Sequence, residues 1–150
     1  MGIRRQARET ALQILYLTDV AKMPVEDAII AVLADTELPD KAGDFSTLLA
    51  RGAVEHRTTL DEFIVKYAEN WELHRMAAVD RNLLRLAAYE LLHYPETPVS
   101  VVIDEAVEIA KSFSTQDSGK FVNGILDKIK LERPEEVPPP PSDSSSPPPE

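Results

Sequence analysis

Apolar residues recur three and four positions apart through most of this chain, and strict alternation is scarce, so the pattern predicts helices. The first runs from about Ile3 to Ala21, with Ala7, Ala11, Ile14, Leu15 and Thr18 on one face. Lys22-Met23-Pro24 ends it, and Pro24 suits the first turn of a second helix whose stripe is Ala28, Ile29, Val32 and Leu33. Leu38 to Gly43 reads as a loop, with Asp44 or Ser46 capping a third helix. That helix passes through Leu48, Leu49, Ala53 and Val54 and continues via Leu60, Phe63, Ile64 and Tyr67. Val79, Leu83, Leu84, Leu86, Ala87, Ala88, Leu91 and Leu92 cover nearly a whole helix circumference, which belongs at the centre of a bundle. After Pro95 and Pro98, Val99, Val102, Ile103, Ala106, Val107, Ala110 and Phe113 form an amphipathic stripe. Asp104, Glu105, Glu108 and Lys111 read as its solvated face. Ser114 and Asp117 have the spacing of a capping box for a last helix, with Phe121, Val122, Ile125, Leu126 and Ile129 inside. Gly124 within that helix reads as a point of close helix approach.

These elements predict an all-α fold: one domain over residues 1–132, built of two packed helical subdomains at about 1–70 and 71–132. Trp71, the single tryptophan, falls at their join and reads as a packing residue before a base-stacking one. Residues 133–150 hold eight of the twelve prolines with Ser and acids, too little apolar area to offset ordering, so a disordered or polyproline tail is expected there.

Composition narrows the chemistry. The chain has no cysteine, which excludes disulfides and thiolate metal sites and fits a cytoplasmic protein. Its apolar runs are too short to span a membrane, and Glu9 and Gln13 fall where a signal peptide needs unbroken apolar sequence. The formal charge is −10, with −7 left on residues 1–132, so the body repels nucleic acid at long range and RNA binding needs a local basic patch or a basic partner. His56, His74 and His93 are scattered, without metal-ligand spacing, and read as surface or helix-end residues. No phosphate-binding glycine loop or nucleophile motif is present, so the sequence supports neither catalysis nor a cofactor.

Two patches stand out. Arg4, Arg5 and Arg8 lie at about 0°, 100° and 40° around the opening helix, sharing one face. Cations at a helix N-terminus oppose its dipole, and an arginine fork grips phosphate oxygens, so the trio reads as a phosphate-binding cluster; a flexible, salt-screened basic start is the equal alternative. The second patch, Ser112 to Phe121, offers backbone amides at a helix start, Lys120 for phosphate, Phe121 for stacking and Asp117 for base edges, the ingredients for holding single-stranded RNA. On its own, Phe121 reads as a core residue before a stacking platform.

RRQARETALQILY at 4–16 resembles the arginine-rich opening helix of the NusB family. VDRNLLRLAAYELL at 79–92, P-VSVVIDEAVEIAKSF at 98–113 and DSGKFVNGILDKI at 117–129 are similar to its C-terminal half in order and spacing. The resemblance implies an all-helical antitermination adaptor of about seven helices. Such a protein binds boxA RNA of ribosomal RNA leader transcripts with the small-subunit ribosomal protein NusE, and acts in the antitermination complex on RNA polymerase. By position it implies RNA contacts at Arg4, Arg5, Arg8, Asp117, Lys120 and Phe121, and partner contacts at Tyr16, Asp80 and Arg81. Gln6 stands where many members carry another basic residue, which implies weaker phosphate contact. An acidic adaptor recruiting a basic ribosomal protein explains the negative body. A helical protein–protein module without RNA contact is the alternative, and a homodimer hiding its RNA face until a partner arrives is compatible with the main reading.

Overall fold

The structure, a computed structural model, describes residues 2–69 and 71–134; the expectation for the tail falls, from residue 135 on, outside the described residues. Seven α-helices follow in order: α1 (Ile3–Val20), α2 (Val25–Ala34), α3 (Asp40–Glu55), α4 (Arg57–Tyr67), α5 (Ala78–His93), α6 (Val99–Phe113) and α7 (Gln116–Ile129). Single 3-10 turns at Leu73–Arg75 and Lys130–Glu132 complete them, and there is no strand among the described residues.

Helix α1 stops where Lys22 adopts a left-handed backbone (φ 58°), and the Met23 amide donates back to the Leu17 carbonyl at 3.2 Å. Pro24 then caps α2 from an extended conformation. Helix α3 begins earlier than its pattern suggests. Pro39 is extended and cannot continue a helix, but its carbonyl accepts the Gly43 amide at 2.9 Å, so Asp40 to Gly43 form the first turn, not a loop. Neither predicted cap acts as one: Asp44 lies inside the helix, and Ser46 is buried, its Oγ donating to the Ala7 carbonyl at 2.7 Å. The expected continuation into α4 is interrupted at His56, whose φ and ψ of −102° and 18° leave the helical range. Its ring is drawn into a stack, 5.6 Å from Tyr89 and 4.5 Å from His93. Gly52 lets α3 cross α5 beside this stack, because a Cβ there would fall 2.0 Å from the Tyr89 ring.

Helix α5 is the hub, as its apolar circumference predicts, packing against α1, α3, α4, α6 and α7. Leu83, Leu84, Leu86 and Leu91 are buried on it, and so are four polar residues, Asp80, Asn82, Arg85 and Glu90. One continuous apolar cluster draws side chains from all seven helices. Helices α6 and α7 form a hairpin across Ser114 and Thr115. The cap of α7 is Thr115, whose Oγ1 accepts the Ser118 amide at 3.0 Å; the anticipated box from Ser114 to Asp117 does not form. Close approach of the pair occurs at Gly119, 3.0 Å (as a virtual Cβ) from the Lys111 side chain, whereas Gly124 meets nothing within 4 Å, which corrects its reading.

The histidine stack gives a pH dependence. Burial first, and the neighbouring His56 ring second, hold the His93 imidazole below its ordinary value of 6.5. Stability is therefore complete above that value and falls as pH drops through it, because the unfolded chain takes the proton first. Thermal midpoints decrease from neutral to mildly acidic pH, before carboxylates titrate, and His93→Gln flattens this fall.

Candidate nucleic-acid and partner interface

Helix α1 opens without a side-chain cap and without an acid in its first turn. Carboxylates from other helices compensate. Glu105 of α6 accepts Arg5 Nε at 2.9 Å and Nη2 at 2.6 Å. Glu90 of α5 accepts Arg8 Nε at 2.9 Å and Nη2 at 2.7 Å, with Arg8 only 6% exposed. The hydrogen bonds from Arg5 hold the Glu105 carboxyl below the usual range against its burial. Glu105 therefore departs from the solvated face predicted for it, and Arg8 departs from a free basic patch. The Arg4 guanidinium lies 4.1 Å over the Phe45 ring. Together the trio lines one side of an open cavity of about 520 Å³, closed by Glu96, Thr97 and Pro98.

The residues of the second patch gather at the start of α7. Asp117 and Lys120 are exposed there, and Phe121 is half-buried. Asp117 and Phe121 line a cavity of about 420 Å³ with Trp71, Arg75, Met76 and Asp80. Trp71 remains 51% exposed, its ring centroid 5.7 Å from that of Phe121 at 65°, so it closes a cavity wall and does not fill the core. Asp80 is buried: Oδ2 accepts Ser118 Oγ at 3.1 Å, while Oδ1 has no hydrogen-bond partner among the described residues. Trp71 and Arg75 were missed as cavity residues in the sequence; the available signal was an isolated tryptophan in a polar stretch.

The residues expected to meet a protein partner divide. Tyr16 is exposed and lines an apolar groove of about 260 Å³ with Leu12, Leu17, Val32, Val79 and Phe113. Phe113, at the end of α6, is likewise exposed. Arg81 turns away to Asp19, with Nε donating at 2.6 Å, and Asp80 faces the aromatic cavity. Val79 and Asp80 thus put the start of α5 between groove and cavity.

The arginines and the α7 residues line different cavities, and Tyr16 a third. Arg5, Arg8, Leu12 and Tyr16, spaced three, four and four apart, form a stripe along α1 from the first site to the apolar groove. Glu105 in α6 lines the arginine cavity and Thr115, in the turn between α6 and α7, the aromatic one, ten residues further along the chain. Among the described residues there is neither a group of three or more His, Asp or Glu able to hold a metal nor a helix long and apolar enough to cross a membrane.

Comparisons with known proteins place this all-helical scaffold with its arginine-lined helix start, apolar groove and aromatic cavity. The NusB family model matches residues 5–130. The transcription antitermination protein NusB of Elusimicrobium minutum is 51% identical over 135 residues, covering 89% of this chain and 96% of its own. That of Solibacter usitatus is 49% identical, covering 90% and 93%. The chain belongs to the NusB family. In three dimensions T. maritima NusB is similar with a TM-score of 0.83 at 41% identity, covering 89% of this chain and 94% of its own. A crystal structure of the antitermination factors NusB and NusE in complex with dsRNA matches with a TM-score of 0.79 at 29% identity, covering 88% and 98%.

Proposed function

We propose that this chain is a cytoplasmic transcription antitermination adaptor that binds boxA-type single-stranded RNA of ribosomal RNA leaders together with NusE, within the complex on RNA polymerase. The observation that carries this reading is the start of α5, flanked on one side by the exposed apolar groove of Tyr16 and Phe113 and on the other by the aromatic cavity of Asp117 and Phe121. A protein seated in the first and a strand seated in the second become neighbours. Arg4 and Arg5 take phosphate at the far end, Arg8 fixes the helix that carries them, and Lys120 takes phosphate beside Phe121. Asp80 and Arg81 serve the partner surface by fixing the turn of α5 that presents Val79.

Most cationic charge at the arginine end is already matched by Glu90 and Glu105, so the isolated chain engages few phosphates. For about three contacts, log K falls with log salt at a slope of about −2. RNA binding is measured for a boxA-like, a scrambled and a duplex strand, with and without NusE, across a salt series. The expected result is weak, salt-sensitive binding by the chain alone and at least about tenfold tighter, boxA-selective binding with NusE. Equal affinity for the scrambled strand defeats the reading. The ion pairing of Arg5 and Arg8 favours a second reading, a protein-binding module without RNA contact. That reading requires charge reversal at Arg4 and Lys120 to leave RNA association of the complex unchanged. Gel filtration with and without NusE shows whether a homodimer covers the Tyr16 groove first.

A further inference from the structure

We propose that the acidic, proline-rich stretch after Pro134 folds back onto the arginine cavity at the start of α1, where Glu135 and Glu136 take the place of RNA phosphate on Arg4. The chain thereby carries its own competitor for the strand. This rests on the RNA-binding reading of Arg4 and adds its regulation.

The chain leaves the fold at the wall of this cavity. Glu132 accepts Lys66 Nζ at 2.9 Å and the Tyr67 hydroxyl at 2.6 Å from α4. Arg133 follows, its Nη2 donating to the carbonyls of Tyr94 at 2.7 Å and Thr97 at 2.6 Å in the turn between α5 and α6. Thr97 is itself a cavity wall, with Glu96 and Pro98. The Arg133 backbone is extended (φ −64°, ψ 131°), as a residue before proline prefers, so no helix carries the chain away. Glu135 and Glu136 come within three residues of this anchor, about 9 Å of polyproline-like chain, and so within reach of the rim.

Charge favours the same seat. Arg5 and Arg8 are matched by Glu105 and Glu90, whereas Arg4 is exposed over the Phe45 ring and has no carboxylate partner among the described residues. Residues 134–150 carry four acids and no basic residue. Glu96 repels a carboxylate at its own side of the rim and leaves the Arg4 side to receive it. Pro98 and the half-exposed Val101 offer apolar surface to Val137 and the prolines after it, and an extended proline-rich segment docks at low entropic cost. Tethering a few residues from the site raises the effective concentration to the millimolar range, so weak carboxylate–guanidinium contacts suffice to hold it against dilute RNA.

The chain has no cysteine, so Ser142→Cys accepts a single nitroxide label in the full-length protein. At low salt this label broadens the amide signals of Arg4 and Val101 more than the same label does in Glu135→Gln/Glu136→Gln, and boxA-like RNA relieves the broadening. In the complex with NusE, unlabelled Glu135→Gln/Glu136→Gln binds boxA-like RNA about threefold to tenfold more tightly than the parent. The gain shrinks at high salt and disappears when Arg4→Ala is added. Glu37→Gln/Glu62→Gln, the same change of charge at exposed acids elsewhere, stays within about twofold of the parent. Equal broadening in the two labelled chains overturns docking by these carboxylates, whatever the RNA result. An affinity gain shared by the Glu37/Glu62 variant, or retained without Arg4, reduces the effect to general repulsion and overturns the competitor. Docking as expected in a complex that binds no RNA defeats the RNA reading, and the competitor role with it.

Discussion

Asp19→Ala lowers the free energy of unfolding by about 3–5 kcal/mol in a urea titration, the loss characteristic of a buried ion pair stripped of one partner. Asp19 sits near the end of α1 and accepts Arg81 Nε at 2.6 Å, Asn82 Nδ2 at 2.8 Å and Arg85 Nη1 at 2.9 Å from α5, with Arg57 of α4 at 3.9 Å. Asp61 supplies the only other carboxylate of the network, held by Arg85 Nε at 2.7 Å. Three guanidinium groups thus share two carboxylates, and removing Asp19 leaves the buried Arg85 beside two like charges with one counter-ion. Burial raises the Asp19 carboxyl, but the hydrogen bonds from Arg81 and Asn82 and the arginine charges outweigh it and place it well below the ordinary range. Its contribution is therefore present above the carboxylate's unfolded value, near 4, and is lost as pH falls below that. Asp19→Ala accordingly flattens the acid limb of the stability profile as well as lowering its plateau. A loss below about 1 kcal/mol would show that Asp61 alone satisfies the cluster.

Asp19 also shows what sequence reading reaches and where it stops. Periodicity located α5 at the centre because apolar positions nearly encircle it, and the end of α1 because Lys22-Met23-Pro24 interrupts the pattern. It passed over Asp80, Asn82, Arg85 and Glu90, because a polar residue on an apolar helix becomes legible only when its partner is known. Those partners lie far along the chain: Arg8 and Glu90 are 82 residues apart, Arg5 and Glu105 100. The arginines looked unfavourable at a helix start and hence functional; two of them are in fact matched by carboxylates that local pattern assigns to other helices. The α3 start was misread because Gly43 and Pro39 are turn signals in isolation, whereas packing of Ala42 and Phe45 carries the helix back to Asp40. Tyr16 was named from resemblance, and Asp117, Lys120 and Phe121 from the polar helix start as well; Trp71 was read as packing before stacking and Arg75 was not named, since no spacing rule links either to α7.

Glu90→Gln separates the structural work of Arg8 from any work on RNA, and lowers stability by about 3 kcal/mol. The Glu90 side chain is 1% exposed, and both its oxygens are taken by the Arg8 fork. A glutamine keeps one acceptor but turns an N–H toward the guanidinium, leaving Arg8 to Glu105, 3.7 Å away and already engaged by Arg5. Replacing both partners by apolar residues of similar length removes the uncompensated charge with the pair. Arg8→Met combined with Glu90→Met therefore returns to within about 1 kcal/mol of the parent, since buried ion pairs are often no more stabilising than well-packed hydrophobic ones. In that folded double variant the RNA affinity of the NusE complex stays within about twofold of the parent, whereas Arg4→Ala, at a guanidinium lying over the Phe45 ring, weakens it several-fold. A stable double variant that loses RNA binding would instead place the Arg8 guanidinium on the strand and require Glu90 to release it when RNA arrives.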